Sequence, residues 1–183
     1  RKLLGFGTQW MDLDNNGTME LLVANGHVDD VHRSDVTYRM PPQLFWRSES
    51  GRFTQVDRES LGDYFRKEHL GRALITLDAN RDGKRDALVS HLYDPVALLI
   101  NQTSDAGDHI QFELVATESE RDAIGSFVTV SRGDVSRSQT LFAGDGYMSS
   151  NERIVHFGLG PAASEGSDPR WTVQVRWPSG KTE

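Results

Sequence analysis

The chain has 183 residues, 37% of them hydrophobic and 26% charged, with 17 glycines, a composition that suits one large or two small globular domains and excludes a largely disordered chain. A formal net charge of −7 argues against nucleic-acid binding, which needs a basic face, and the absence of cysteine removes disulfides, thiolate zinc sites and cysteine nucleophiles. No stretch reaches the roughly 18 uncharged apolar residues that a membrane span requires.

The opening RKLLGFGTQW holds no apolar run of signal-peptide length and no starting methionine. It reads as the interior of a repeat, so a fragment is expected, and the missing export signal says nothing about localisation. From Gly5, GFGTQWMDLDNNGTMELLVAN sets two apolar runs around an acidic turn, and PPQLFWRSESGRFTQV adds two shorter runs around a Ser-Gly turn. The segment Arg58 to His69 is the one helical candidate, weakened by Gly62 in its interior. At Gly71 the pattern restarts, 66 residues on, as GRALITLDANRDGKRDALVSH, followed by PVALLINQTSDAGDHIQFELVAT. Each copy predicts four short strands, two flanking the acidic turn and two following as a hairpin, which is the signature of a propeller blade. Two blades cannot close a ring, so open strand edges must be covered or would invite self-association.

From Asp108 the texture changes to alternating runs without acidic turns. Ile110, Phe112, Leu114 and Ala116 alternate with polar residues, as do Val155, Phe157 and Leu159, and Trp171, Val173, Val175 and Trp177. The expected architecture is all-β: two calcium-loop, propeller-type blades over residues 1–107, then a small antiparallel β-sandwich over residues 108–183. The boundary is expected within Ser104 to Asp108. The sandwich core is expected to contain Phe112, Leu114, Val128, Phe157, Val175 and Trp177.

The acidic turns carry the chemistry. The first offers Asp12, Asp14, Asn16 and Glu20 at positions 1, 3, 5 and 9, with Gly17 at position 6; the second offers Asp78, Asn80, Asp82 and Asp86, with Gly83. The carbonyl at position 7, of Thr18 or Lys84, can add another oxygen. Hard oxygen ligands at alternate positions of a tight loop suit calcium, which takes six to eight of them, and without a cation three neighbouring carboxylates repel one another. An EF-hand opens the same way but needs a bidentate Glu at position 12, where this chain has Val23 and Val89, and its flanks are helices rather than runs such as ELLVAN and DALVSH. Ca2+ is therefore expected as a structural ion between strands. Arg81, Lys84 and Arg85 are expected to point away from the second ion, and the longer Glu20 arm to lose more entropy on ordering than Asp86. The second site is thus expected to be the tighter one.

GFGTQWMDLDNNGTMELLVANGHV and LDANRDGKRDALVSH resemble FG-GAP/VCBS repeats. RDAIGSFVTV, LFAGDGYMSSNERIVHFGLG and VQVRWPSGK resemble the ASPIC/UnbV domain that follows such repeats in the cartilage acidic protein-like family, and GHVDDVHRSDVTYRMPPQLFWRSESGRF is similar to its linking blade region. The resemblance implies an extracellular, cell-surface or periplasmic propeller with calcium loops and a β-rich C-terminal module, and it implies no established enzymatic activity. Position 9 is usually Asp in this family, and Glu20 departs from that.

Other signals have plainer readings. His27, Asp29, Asp30 and His32 read as a solvated loop rather than a transition-metal site. Gly133-Asp134 in SRGDVS reads as a hairpin turn rather than an adhesive triplet, and Asn16 and Asn101 open glycosylation sequons, the first on a proposed ligand. Asp145, Tyr147 and Asn151 read as a shaped turn, with Tyr147 a lid on the sandwich, in preference to a sugar or peptide site. No G-x-S-x-G elbow or phosphate-binding glycine loop is present. The functional expectation is a non-catalytic, secreted calcium-binding module for binding, adhesion or scaffolding, with an extracellular protein or glycan as partner. The alternative is a polysaccharide-active enzyme or its accessory module, which a concave cluster of unpaired acids outside the calcium loops would favour.

Overall fold

A computed structural model describes residues 3–32, 35, 37–161 and 170–183, and the chain packs as two compact units. The first comprises Arg1–Leu13, Thr18–Gln102 and Gly144–Glu152; the second comprises Asp14–Gly17, Thr103–Ala143 and Arg153–Glu183. Secondary structure is almost entirely antiparallel β, as the alternating runs predict.

In the first unit, β1 (Gly5–Met11), β2 (Glu20–Asn25), β3 (Gln43–Arg47) and β4 (Phe53–Gln55) form a four-stranded meander in chain order. After it, β5 (Gly71–Leu77), β6 (Asp86–His91) and β7 (Ala97–Leu99) form a three-stranded one. Both opening hairpins carry a register irregularity at the same repeat position, Gly5/Thr8 in one and Gly71/Leu74 in the other. The second copy departs from the expected four strands. Its last apolar run becomes β8 (Asp108–Phe112), which pairs with β11 (Val155–Gly160) in the other unit's sheets. The polar stretch Asn101 to Gly107, longer than the Ser-Gly turn of the first copy, does not fold β8 back onto β7. The helical candidate breaks at Gly62, extended at φ −64° and ψ 169°, leaving a 3-10 turn at Arg58–Ser60 and one turn of helix, α1 (Asp63–Arg66).

The two sheets share a core of Met11, Leu22, Ala24 and Leu44 from the first and Leu74, Ala87 and Val89 from the second. These are not equivalent faces. Sixty-six residues on from Met11, Leu22 and Ala24 lie Leu77, Leu88 and Ser90, which are only half-buried; the partners of Leu74, Ala87 and Val89 in the first copy are Thr8, Leu21 and Val23. The front of one repeat therefore packs on the back of the next, a heterologous contact that leaves one apolar face open at each end. Trp10 on the back of the first sheet and Leu98 on the front of the second remain 55% and 50% exposed. At the contact, a Cβ on Gly7 would lie 2.5 Å from the Arg72 carbonyl oxygen and 2.6 Å from the Leu74 Cβ, so the glycine lets the two backbones approach. The open edge of β5 is covered by Gly144–Glu152: Thr76 N donates to Asn151 Oδ1 (2.7 Å), Asp78 N to Glu152 Oε2 (2.9 Å) and Glu152 N to Thr76 O (3.1 Å). Tyr147 belongs to this first unit, where its ring meets Phe6 edge-on, 5.1 Å between centroids.

The second unit holds β9 (Phe127–Arg132), β10 (Val135–Thr140) and β12 (Thr172–Arg176) in the order β10-β9-β12, beside the β11-β8 pair. Gly133, at φ 56°, opens a two-residue hairpin between Arg132 and Val135, the turn that SRGDVS predicts. The core gathers Ala116, Ala123, Val128, Val130, Leu141, Val155 and Phe157. Phe112, Leu114, Val175 and Trp177 pack against it half-buried, as their alternation predicts.

Candidate metal centre

The β1–β2 and β5–β6 connections share one backbone design. Position 4 is left-handed in both, Asn15 at φ 57° and Arg81 at φ 59°, and so is the glycine at position 6, Gly17 at 86° and Gly83 at 81°. Two left-handed residues curl each loop; position 1 is buried in both, whereas positions 3 and 5 are half-buried in the first and exposed in the second. Asn tolerates the left-handed conformation and Gly suits it; an arginine there is uncommon. The acid at position 9 closes both loops by accepting the backbone N–H of position 2: Leu13 N to Glu20 Oε2 (3.1 Å) and Ala79 N to Asp86 Oδ2 (2.8 Å). Sequence reading assigns these acids to the metal; both also hold backbone.

Beyond that the loops diverge. In the first, Asp12 (2% exposed), Asp14 and Glu20 (0%) bring one carboxylate oxygen each to within 4.8 Å of one another, and they are the one such acid group among the described residues. Asn16 lies against Asp14, its backbone N 3.2 Å from Oδ1 and its Nδ2 3.0 Å from Oδ2. Thr18 is half-buried. The middle of the loop, Asp14–Gly17, bonds to other residues of the second unit. Gly107 N donates to Asp14 O (2.7 Å), Gly160 N to Asn15 O (2.7 Å) and Arg137 to Asn16 O (2.9 Å). Asn15 itself is 1% exposed. Its Oδ1 lies 3.0 Å from His156 Nε2, and the other ring nitrogen, Nδ1, lies 3.3 Å from the Gln111 amide. Nothing local in the sequence marks Asn15, Arg137 or His156, because the Arg137–Asn16 and His156–Asn15 contacts span 121 and 141 residues. A cavity of about 460 Å³ reaches Asp14 and Asn16 and is lined also by Asp105 and Asp108, an acidic approach for a cation.

In the second loop, as in the first, the carboxylates accept hydrogen bonds. Asp78 accepts from Asp82 N (3.1 Å) and Gly83 N (2.9 Å), and Asp86 accepts from Asn101 N (2.8 Å) as well as Ala79 N. Lys84 does not point away: its Nζ lies 3.2 Å from Asp82 Oδ2. Burial acts most on Asp82, upward, but the Lys84 amide, the Asn80 side chain and the Lys84 ammonium together hold its carboxyl below the usual range. Arg85 is 6% exposed, bonded to Glu152 (3.2 Å) and Thr76 Oγ1 (2.8 Å). Burial lowers its pKa, against the pull of Glu152, Asp78 and Asp86. Protein cations thus stand beside the acids here. The expectation that side chains at positions 7 and 8 are screened bystanders is corrected: Lys84 pairs with Asp82, and Arg85 is buried beside Asp78 and Asp86.

The other candidates resolve simply. Asp29, Asp30 and His32 are exposed and His27 is half-buried, with His32 Nδ1 3.2 Å from Asp30. Asp145 and Asn151 bond each other and Gln9, shaping the segment that covers β5. No helix among the described residues is long and apolar enough to cross a membrane.

A family model described as ASPIC and UnbV matches residues 116–183, so the C-terminal part of the chain carries the domain that its motifs resemble. No curated protein matches the chain.

Proposed function

We propose that this chain is a non-catalytic, calcium-stabilised binding module of an extracellular or periplasmic protein, built from two FG-GAP/VCBS-type blades and an ASPIC/UnbV domain. The observation that carries it is the gathering of Asp12, Asp14 and Glu20 in one left-handed loop, two of the three fully buried. Three carboxylates at that spacing repel each other, a cation among them relieves that repulsion, and an oxygen-only set suits a hard one. Asp12, Asp14, Asn16 and Glu20 would hold the ion, with the Thr18 carbonyl as a further oxygen. Its chemistry is charge compensation that fixes the β1–β2 hairpin. Asp78, Asn80, Asp82, Lys84 and Asp86 are a weaker second site. The front-to-back stacking of the repeats supports the blade reading, since a propeller repeats that contact around its ring.

The test is thermal unfolding with and without calcium. An ion that binds the folded loop alone stabilises by mass action: at about 10 mM calcium and a Kd of roughly 0.1–1 mM, by about 1.4–2.7 kcal/mol. An identical melt after exhaustive chelation contradicts the proposal.

A further inference from the structure

The second unit has a cleft that the metal reading leaves untouched. It encloses about 230 Å³ and is lined by Glu118, Ser119, Trp177, Ser179, Lys181 and Glu183, among others. A tight turn builds it. Gly180, at φ 89°, donates to Trp177 O (2.9 Å) and sends the chain back along β12, with Trp177 N bonded to Lys181 O (2.8 Å) and Glu183 N to Val175 O (3.0 Å). Lys181 and Glu183, two residues apart on an extended segment, therefore sit on one side. Lys181 Nζ lies 2.7 Å from Glu183 Oε1 and 3.7 Å from Glu118 Oε1, and the Trp177 indole N–H donates to Glu183 Oε2 (3.3 Å).

We propose that this cleft binds one neutral hexose unit of a glycan, with Trp177 as the apolar wall and the Glu118–Lys181–Glu183 group as the hydroxyl-binding edge. An indole offers a rigid flat surface with one polar tip, and here the tip is already occupied, leaving the ring to contact C–H groups. Lys181 supplies only donors and the glutamates only acceptors, side by side. A sugar hydroxyl both donates and accepts, so it can bridge them while the ion pair stays intact. A charged ligand would meet a like charge beside any group of the pair it bonded. The same arrangement argues against hydrolysis. The Lys181 hydrogen bond and charge hold the Glu183 carboxyl below its usual range, so at neutral pH it has no proton to give a leaving group. The acids of this cleft are concave but paired, the geometry of recognition.

The experiment uses the whole chain and follows the Trp177 indole N–H by NMR while neutral gluco-, manno- and galacto-configured hexasaccharides are added. Chitosan and polygalacturonate oligomers serve as cationic and anionic comparators. One neutral series is expected to shift that resonance saturably below about 10 mM, equally in EGTA, because no proposed calcium ligand lines the cleft. Lys181→Ala and Glu118→Gln, both at exposed positions, should each weaken binding about tenfold while the melting temperature stays put. The proposal is overturned if no neutral series saturates, if a charged comparator binds more tightly, if EGTA abolishes binding in a folded protein, or if both variants bind as the parent does.

Discussion

Gly7→Ala tests the stacking of the two repeats most sharply. The added methyl would meet the Arg72 carbonyl oxygen at 2.5 Å, the Leu74 Cβ at 2.6 Å and the Leu74 N at 2.7 Å. None of these is the far end of a flexible side chain, so relief requires β1 and β5 to part by nearly an ångström beside Leu74, which is 0% exposed. Overpacking of this kind costs about 1–3 kcal/mol, more when backbone must shift. For a chain of this size that lowers the melting temperature by roughly 2–12 °C. Gly62→Ala is the control, because nothing lies within 4 Å of its Cβ; its effect should stay within about 1 kcal/mol. Calorimetry on both variants decides. If Gly7→Ala melts with the parent, the two sheets do not pack front to back at this glycine.

Three further outcomes follow from named contacts. Arg85→Ala should destabilise by about 3–5 kcal/mol, because it strips a cation from beside Asp78, Asp86 and Glu152; added calcium should restore part of the loss through the second loop, read as a calcium-dependent melt. His69 stacks on Tyr64 and faces His91 at 5.1 Å, with Arg39 and Asp94 nearby; burial above all, and His91, lower its pKa from the ordinary 6.5. The unfolded chain then takes up a proton first. Stability is full above about pH 6.5 and falls as pH drops through the window below it, a slope that His69→Gln should flatten in melts from pH 5 to 8. Phe157→Ala, at 2% exposure in the second core, should cost about 3–5 kcal/mol by chemical denaturation.

The alternating runs revealed most strands, since period-2 burial is a local property: Trp171 to Trp177 shows it residue by residue. The repeat likewise exposed both acidic loops and their glycines, because φ above zero at position 6 leaves its mark as Gly17 and Gly83. The loops also draw on contacts that are not local. Asn15, bonded to His156, and Arg85, bonded to Glu152, draw on residues 141 and 67 positions away. The same holds for β8, whose run alternates equally well as a fourth blade strand or as the partner of β11. Gly144–Glu152 reads as a surface turn because its polar residues are those of a turn, yet they complete the edge of β5.

Isothermal titration with calcium tests the central claim most directly, on the parent chain, on the double variant Asp14→Asn/Glu20→Gln, and on Asp82→Asn. These changes keep side-chain shape while removing charge from one loop at a time. The gathered triad predicts a binding event of roughly 0.1–1 mM in the parent that is lost in the double variant and kept in Asp82→Asn. Retention in the double variant with loss in Asp82→Asn would place the ion in the second loop and contradict the account.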